Sequence, residues 1–213
     1  MSEPVLQLIA ENKKTRAPFL DLGNCGLTEV PEELGELTWL EELSFARHWW
    51  DEDVPKNSAN SGPKNHISRL APTAANNPFS SLTRLRKLWL NGTFADQLDL
   101  QDLSPLAGLT GLQTLNLMGT PVADLAPLAG LTNLETLVVT RTKVADLSPL
   151  AGLENLRGLS AGFTKAADLS PLAGLARLQR LDISSAKEVA DLSPLAGLAR
   201  LQRLDISSTQ VAD

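Results

Sequence analysis

The stretch DLSPLAGLARLQRLDISS, from Asp168 to Ser185, recurs letter for letter from Asp191 to Ser208. Weaker copies place the opening aspartates of the units at 102, 124, 146, 168, 191 and 213, spaced by 22, 22, 22, 23 and 22 residues. A unit this short cannot bury its own apolar face, so neighbouring units must stack and share one core. The repeat therefore predicts a solenoid, an elongated fold that presents a long continuous surface.

The leucines inside the units carry a family resemblance. The pattern LxxLxLxx(N/T)x(V/L)xDLxPLxxL falls in one copy on Leu112, Leu115, Leu117, Thr120, Val122, Leu125, Leu128 and Leu131. It resembles the leucine-rich repeats of internalin-like bacterial proteins, and Pro18 to Phe45 resembles two further units of a related type. The resemblance implies an α/β fold: a leucine-rich repeat solenoid with a parallel β-sheet on its concave face and short helical turns on its convex face.

We expect a single elongated domain over residues 1–213, of which 43% are hydrophobic, enough for a sizeable core. Residues 1–16 are predicted to form a capping helix that starts at Ser2 and buries Val5, Leu8 and Ile9 on one face. Irregular repeats follow at 17–101, with an inserted loop at 47–64 that is either functional or disordered. Regular repeats fill 102–213. Because they stop at Asp213 without a polar cap, they predict a truncated array with an open C-terminal edge.

Polar residues in each repeat have predicted local roles. The threonines that follow the strands are expected to bond backbone groups of the next turn: Thr93, Thr120, Thr142, Thr164 and Thr209. In DLSPL, serine is expected to cap a short helical turn that proline begins. The glycines that follow, Gly108, Gly152, Gly174 and Gly197, are expected to let the chain turn back. Ala186 replaces threonine in the longer copy, which predicts a small bulge with Lys187 or Glu188 pushed outward.

The concave face of such a solenoid is the expected ligand surface. Its middle column is predicted as Asp21, Ser44, Trp89, Asn116, Val138, Ser160, Asp182 and Asp205. Trp89 is expected to project as an exposed indole, with Trp49 and Trp50 of the insertion converging on it near Met118. Aromatic residues with methionine are typical of interaction surfaces. The alternative is that the insertion folds back and Trp49 or Trp50 only packs on Trp89.

At the far end, adjacent strands carry Arg180 and Asp182, then Arg203 and Asp205. Stacking in register places like charges side by side, and diagonal Arg to Asp contacts offset the repulsion. A solvated charged face and a specific anion site are both open, with the solvated face favoured because exposed pairs contribute little. The predicted partner-binding residues are Trp49, Trp50, Lys87, Trp89, Asn116, Met118, Val138, Arg180, Asp182, Arg203 and Asp205.

Several classes of function are disfavoured. The formal net charge of −6 argues against nucleic acid as the main partner, because that affinity comes from clustered cations. The N-terminus lacks a long apolar run behind a basic start, which predicts no signal peptide, no membrane span and a cytoplasmic protein. Cys25 is the single cysteine, so no intrachain disulfide can form, and its place in GNCGL predicts a buried, inert thiol.

Enzyme and metal motifs are weak. Gly158 to Gly162 reads GLSAG and matches G-x-S-x-G, but Ser160 falls on a repeat strand and no histidine follows it. His48 and His66 flank the insertion, with the acidic residues 51–53 nearby, and a solvated acidic loop is favoured over a metal site there. The sequence therefore predicts no catalytic residue, no metal site and no cofactor.

The favoured function is a protein-binding module with a protein or peptide ligand on the concave face. The N-terminal helix followed by LDLGNCGLTEVPEEL resembles the sensor end of large bacterial multidomain proteins of the Roc-COR type, which implies the recognition arm of a signalling protein. The alternative is a structural or self-assembly scaffold, in which the open C-terminal edge pairs with a second copy.

Overall fold

The computed structural model describes residues 3–51, 54–71, 73, 75–92 and 98–211. It contains one α-helix, α1 (Glu3–Thr15), and the strands β1 (Phe19–Asp21), β2 (Glu42–Ser44), β3 (His48–Asp51), β4 (Val54–Asn57), β5 (Lys87–Trp89), β6 (Thr114–Asn116), β7 (Thr136–Val138), β8 (Gly158–Ser160), β9 (Arg180–Asp182) and β10 (Arg203–Asp205). Single 3₁₀ turns lie at Glu32–Glu36, Pro78–Ser81, Ser104–Leu106, Ala126–Leu128, Ser148–Leu150, Ser170–Leu172 and Ser193–Leu195. In the described part of the chain, no helix is long and apolar enough to cross a membrane.

Eight of the strands form one parallel sheet in the order β1-β2-β5-β6-β7-β8-β9-β10. Each strand is three residues long, and its central leucine points into the solenoid; Leu115, Leu137 and Leu159 are neighbours in register and fully buried. Stacked leucines from the strands and the 3₁₀ turns form a single apolar core along the sheet. The predicted solenoid with a parallel sheet and short helical turns is confirmed.

The helix α1 covers the first coil as predicted. Val5 and Ile9 are buried, Leu8 is partly buried, and Leu6 beside them is exposed. Asn12 adds a role that its residue type did not predict: its amide donates to the carbonyls of Ala17 and Phe19 at 3.1 and 3.2 Å. These bonds tie the helix end to β1. Ser2, the predicted cap, lies outside the described residues.

The prediction that serine caps each convex turn is wrong. The aspartate two residues earlier supplies the cap: Asp146 Oδ1 accepts the N–H of Ser148 at 2.8 Å. The same bond recurs from the other opening aspartates, those at 102, 124, 168 and 191. Ala126 occupies the serine position in one repeat and still donates its N–H to Asp124, which shows that the serine hydroxyl is dispensable.

The threonine prediction is confirmed for the described residues. The hydroxyls of Thr120, Thr142 and Thr164 donate to the carbonyls three residues earlier at 2.7, 2.6 and 2.6 Å. These buried bonds satisfy carbonyl groups of the turn that leaves each strand. Thr209 does the same, and Thr93 lies outside the described residues. Ala186 is buried, and the extra residue there forms a second turn that exposes Lys187 and Glu188 as expected.

The glycines predicted to let the chain turn back do lie in turns, but these turns do not require glycine. A Cβ atom at Gly108, Gly152, Gly174 or Gly197 would meet nothing within 4 Å, and none of these residues has a left-handed φ. The left-handed backbone lies instead just after each regular strand, at Gly119, Arg141, Phe163, Ser185 and Ser208. The chain therefore reverses at a position that four non-glycine residues occupy.

The described part of the insertion at 47–64 contains a β-hairpin rather than an open loop. β3 and β4 pair antiparallel, with Trp49 opposite Lys56 and Trp50 opposite Pro55. After the hairpin the chain returns to the solenoid at Asn65. The buried Oδ1 of Asn65 accepts hydrogen bonds from the N–H groups of Cys25 and Leu27 at 3.2 and 2.9 Å.

Candidate interaction surface

The predicted middle column of the concave face is confirmed by the strand register. Asp21, Ser44, Trp89, Asn116, Val138, Ser160, Asp182 and Asp205 are successive partners across the sheet. The column that starts each strand reads Phe19, Glu42, Lys87, Thr114, Thr136, Gly158, Arg180 and Arg203. The alternation of strand side chains places both columns on the face opposite the leucine core.

The prediction that Trp89 projects as an exposed indole is wrong. Its side chain is only 1% exposed, because the inserted hairpin folds back over the concave face and covers it. The ring centroid of Trp49 lies 5.8 Å from that of Trp89 and 5.9 Å from that of Phe19. Trp49 is thus the middle of a three-ring aromatic cluster, and the packing alternative describes Trp49 and Trp89 correctly.

Hydrogen bonds fix the base of the hairpin to the sheet. The indole N–H of Trp89 donates to the carbonyl of Trp50 at 3.2 Å, and the Asn91 amide donates to the carbonyl of His48 at 2.7 Å. On the returning side, Asp21 Oδ2 accepts from the Ser58 hydroxyl and the Ala59 N–H, both at 2.9 Å. The hairpin is therefore held at both of its ends by residues of the concave columns.

Trp50 is the one tryptophan of the predicted group that faces solvent. It follows Trp49 on β3 and so points away from the sheet, and it is 61% exposed. Val54 on β4 is 51% exposed, and Phe19 at the sheet edge is 37% exposed. The backbone of Trp50 is held by the hydrogen bond from Trp89, and its indole is presented to solvent.

Beyond the hairpin the predicted contact residues are only partly accessible. Val138 and Met118 are half-buried, whereas Asn116 is buried, and its Oδ1 accepts the N–H of Met118 at 3.0 Å. Lys87 forms an ion pair with Glu42 on the adjacent strand, with Nζ and Oε1 3.3 Å apart. Asn116 and Lys87 therefore have structural partners within the sheet.

The charged far end has the predicted register, with Arg203 beside Arg180 and Asp205 beside Asp182. The two carboxylates also accept hydrogen bonds at the ends of their own strands: Asp182 from the N–H of Ser184 and Asp205 from the N–H of Ser207, both at 2.9 Å. Hydrogen bonds from the Ser207 hydroxyl and N–H lower the pKa of Asp205. Asp21 and Asn116 end their strands in the same way, which explains why polar residues recur in the middle column.

The enzyme-like motifs have ordinary structural surroundings. Ser160 lies on β8 between Val138 and Asp182. Burial, together with the nearby charge of Asp21, raises the pKa of the Cys25 thiol from 9.0 to about 11, so the nucleophilic thiolate is scarce at neutral pH. In the described residues, no group of three or more His, Cys, Asp or Glu side chains can hold a metal ion. Glu52 and Asp53, two members of the weak metal motif, lie outside those residues.

Three exposed hydrophobic residues are not among the predicted contact residues. Phe19 belongs to the first concave column, and its place there follows from the same alternation that placed Glu42 and Lys87. Val54 depends on the hairpin, for which the repeat pattern has no counterpart. Phe163 is half exposed, and the guanidinium of Arg141 lies 4.7 Å from its ring centroid. The sequence signal for Phe163 is an aromatic residue at the position where other repeats carry glycine, arginine or serine.

Comparisons with known proteins agree with this architecture. The family model described as leucine-rich repeats (2 copies) matches residues 110–152. The structure of an internalin, InlF, from Listeria monocytogenes is 32% identical with a TM-score of 0.70, over 87% of this chain and 46% of the internalin. Internalin C2 of the same organism is 28% identical with a TM-score of 0.65, over 89% of this chain and 80% of that protein.

A leucine-rich repeat protein of Leptospira interrogans shares the fold at 22% identity and a TM-score of 0.67, over 87% of this chain and 42% of that protein. A search of curated proteins gave no match. This chain spans about half the length of the InlF structure, at 46%. The repeats, the parallel sheet and these neighbours together identify the fold as a leucine-rich repeat solenoid with structural similarity to internalins.

Proposed function

We propose that this chain is a protein-binding module that holds a protein or peptide ligand against its concave face. Leucine-rich repeat solenoids are typical protein-interaction modules, because stacking creates an extended concave surface. The observation that carries the proposal is the exposure of Trp50 at 61% on a hairpin fixed to that surface. Trp50 is the central contact, and Trp49 and Trp89 position it from below.

The remaining contacts follow from exposure along the columns. Val54 shares the Trp49 face of the hairpin and Phe19 packs against Trp49; with Met118 and Val138 on the open part of the sheet they add apolar contact beside the hairpin. Arg180, Asp182, Arg203 and Asp205 add a charged end that sets orientation rather than affinity. Lys87 and Asn116 line the surface and support it. We further propose that the module is cytoplasmic, has no catalytic activity, and is the recognition arm of a larger bacterial signalling protein.

Single substitutions in the hairpin test this proposal. A partner captured from bacterial cytosol by the wild-type chain is identified and its Kd measured. Trp50→Ala is expected to weaken that Kd by about 2 kcal/mol, roughly 30-fold, with little change in melting temperature, as for a central aromatic anchor. Trp49→Ala, its buried neighbour, is expected to lower stability by about 3–5 kcal/mol. Equal Kd values for wild type and Trp50→Ala would remove Trp50 from the contact surface.

A structural or self-assembly scaffold is the second candidate, and one observation favours it. Leu204, the central leucine of β10, is 40% exposed, whereas its equivalent Leu181 on β9 is buried. An exposed strand edge with an apolar side chain is a template for pairing with another copy. If the chain is a scaffold, its molecular mass in solution rises with protein concentration. Trp50→Ala then leaves this self-association unchanged.

A further inference from the structure

We infer that the solenoid has a second interaction surface, formed by Arg141, Lys143, Phe163 and Lys165, that binds an acidic segment of a partner protein carrying an apolar side chain. These four residues are called the basic rim. They lie on two adjacent coils, just beyond the C-terminal ends of β7 and β8. The surface lies outside the hairpin and does not depend on the function proposed above.

Phe163 occupies the left-handed position of its coil. Its φ is 55° and that of Arg141 is 61°, in the region that disfavours bulky side chains. The equivalent positions in neighbouring coils hold Gly119, Arg141, Ser185 and Ser208, so the repeat adopts this conformation without an aromatic ring. The ring of Phe163 is therefore not required by the fold at this position.

The ring is also presented to solvent. Phe163 is 50% exposed, although many buried positions nearby are filled by leucine. The guanidinium carbon of Arg141 lies 4.7 Å from the ring centroid, a cation–π contact. The half-exposed ring therefore offers an apolar surface with a cation beside it.

Positive charge is stacked beside the ring. Lys143 and Lys165 are exposed and occupy equivalent positions on adjacent coils, two residues after Arg141 and Phe163. The backbone ladder continues through them, since the N–H of Lys165 donates to the carbonyl of Val144 at 2.9 Å. Stacked like charges repel each other, and a carboxylate placed between them relieves that repulsion. This basic strip lies in a chain whose formal net charge is −6.

The aspartates of the repeats are engaged in the convex turns. Asp146 and Asp168 each follow the lysine of their coil by three residues. Both carboxylates accept the N–H of a convex turn at 2.8 Å. The charge pattern therefore selects a partner with carboxylates for the lysines and an apolar group for Phe163.

The test uses the 213-residue chain and a fluorescein-labelled peptide with Phe-Leu at its centre and Asp or Glu at every other position. Fluorescence anisotropy measures its Kd, and a peptide with Lys in place of the acidic residues serves as the reference probe. The double variant Lys143→Glu/Lys165→Glu is expected to weaken the Kd for the acidic peptide by about tenfold or more. The charge-matched control Arg177→Glu/Arg200→Glu, in the loops that precede β9 and β10, is expected to leave it unchanged.

Phe163→Ser separates binding from folding, because serine already occupies this position at Ser185 and Ser208 with φ of 55° and 60°. It is expected to keep or raise the melting temperature and to weaken the Kd several-fold. Trp50→Ala is expected to bind the acidic peptide like wild type, so failure of the rim and failure of the hairpin site are distinguishable. Three outcomes would overturn the inference. Wild type could bind the acidic and the Lys peptide with equal Kd, the arginine control could lose as much affinity as the lysine double variant, or the lysine double variant could bind the acidic peptide like wild type.

Discussion

At the scale of single residues, the left-handed positions decide how each coil leaves its strand. Arg141 and Phe163 keep this conformation because their N–H groups donate to Gly162 and Ser184 of the next coil at 2.9 and 2.8 Å. Gly119 has φ of 73°, and a Cβ atom there would lie 3.2 Å from the carbonyl oxygen of Gly92. This glycine is confined by its neighbour as well as by its own backbone.

Two glycines are expected to respond in opposite directions to alanine substitution. Gly152→Ala is expected to raise the free energy of unfolding by about 0.4–1 kcal/mol, because the site is open and the unfolded chain loses freedom. Gly119→Ala is expected to lower it by about 1–2 kcal/mol through left-handed strain. Urea unfolding of both variants measures the difference, and a loss of stability in Gly152→Ala would show that the convex turn does need glycine.

Sequence reasoning placed individual side chains well where the repeat pattern applies. The order of the concave columns follows from the LxxLxL spacing, since inward leucines force the residues between them outward. Trp89 shows what the repeat pattern does not predict. Its position in the column was correct, but its burial depends on a hairpin from a different part of the chain. The serine before proline is the usual residue type for a cap, but in this repeat the aspartate two positions earlier reaches the same N–H.

At the scale of elements, each regular convex turn is a 3₁₀ turn held by an aspartate at its start. Hydrogen bonds from the hydroxyl and N–H of Ser170 lower the pKa of Asp168, and equivalent bonds from Ser193 lower that of Asp191. A lowered pKa means that folding favours the ionised carboxylate. Both carboxylates are fully exposed, so solvent screens their individual contributions.

Acid is expected to remove this contribution. Because the pKa of Asp168 is lower in the folded chain, its stabilisation is complete above the ordinary value of 3.8 and disappears as the pH falls through the folded pKa. The difference in melting temperature between wild type and Asp168→Asn should therefore be constant near neutral pH. It should fall towards zero as the pH is lowered through the folded pKa. Ser170→Ala removes the hydroxyl donor and should narrow that difference at neutral pH. If this difference in melting temperature instead grew at acid pH, the pKa of Asp168 would not be lowered by folding.

The hairpin is the element that sequence reasoning described least well. Residues 47–64 were expected to be either a functional loop or disordered, and antiparallel pairing over β3 and β4 was not anticipated. The stretch does alternate in part, but the acidic residues at 51–53 and Pro55 obscure the strand signal in the sequence. The bonds that fix it run to Asp21, Trp89 and Asn91, three residues that are far from it in sequence.

At the scale of the whole molecule, the two ends of the sheet differ. The helix α1 covers the first coil and buries Val5 and Ile9 against the core. At the other end, β10 pairs only with β9 in the described residues, and Leu201 and Ile206 are partly exposed beside Leu204. Asp213, from which an open C-terminal edge was predicted, lies outside those residues.

The 213-residue chain is expected to self-associate through β10 as its concentration rises, because the exposed Leu204 layer and the strand edge favour pairing. Light scattering during size exclusion measures the mass. Leu204→Lys is expected to restore the monomer, whereas Leu6→Lys, a similar change of an exposed leucine on α1, should have no effect. Monomeric mass at high concentration, with strong amide protection over 201–208, would contradict pairing through this edge.

The hydrogen bonds of the threonines and of the opening aspartates have a consequence for how this protein can change over evolutionary time. Both kinds of bond close within a single coil: Thr142 to Val139, and Asp146 to Ser148. A coil therefore brings its own turn contacts wherever it is inserted, and unequal recombination between the identical stretches at 168–185 and 191–208 would add or remove a whole unit in frame. The length of the array can drift by gene duplication and loss while the hairpin and α1 stay unchanged, so reach and recognition are free to evolve separately.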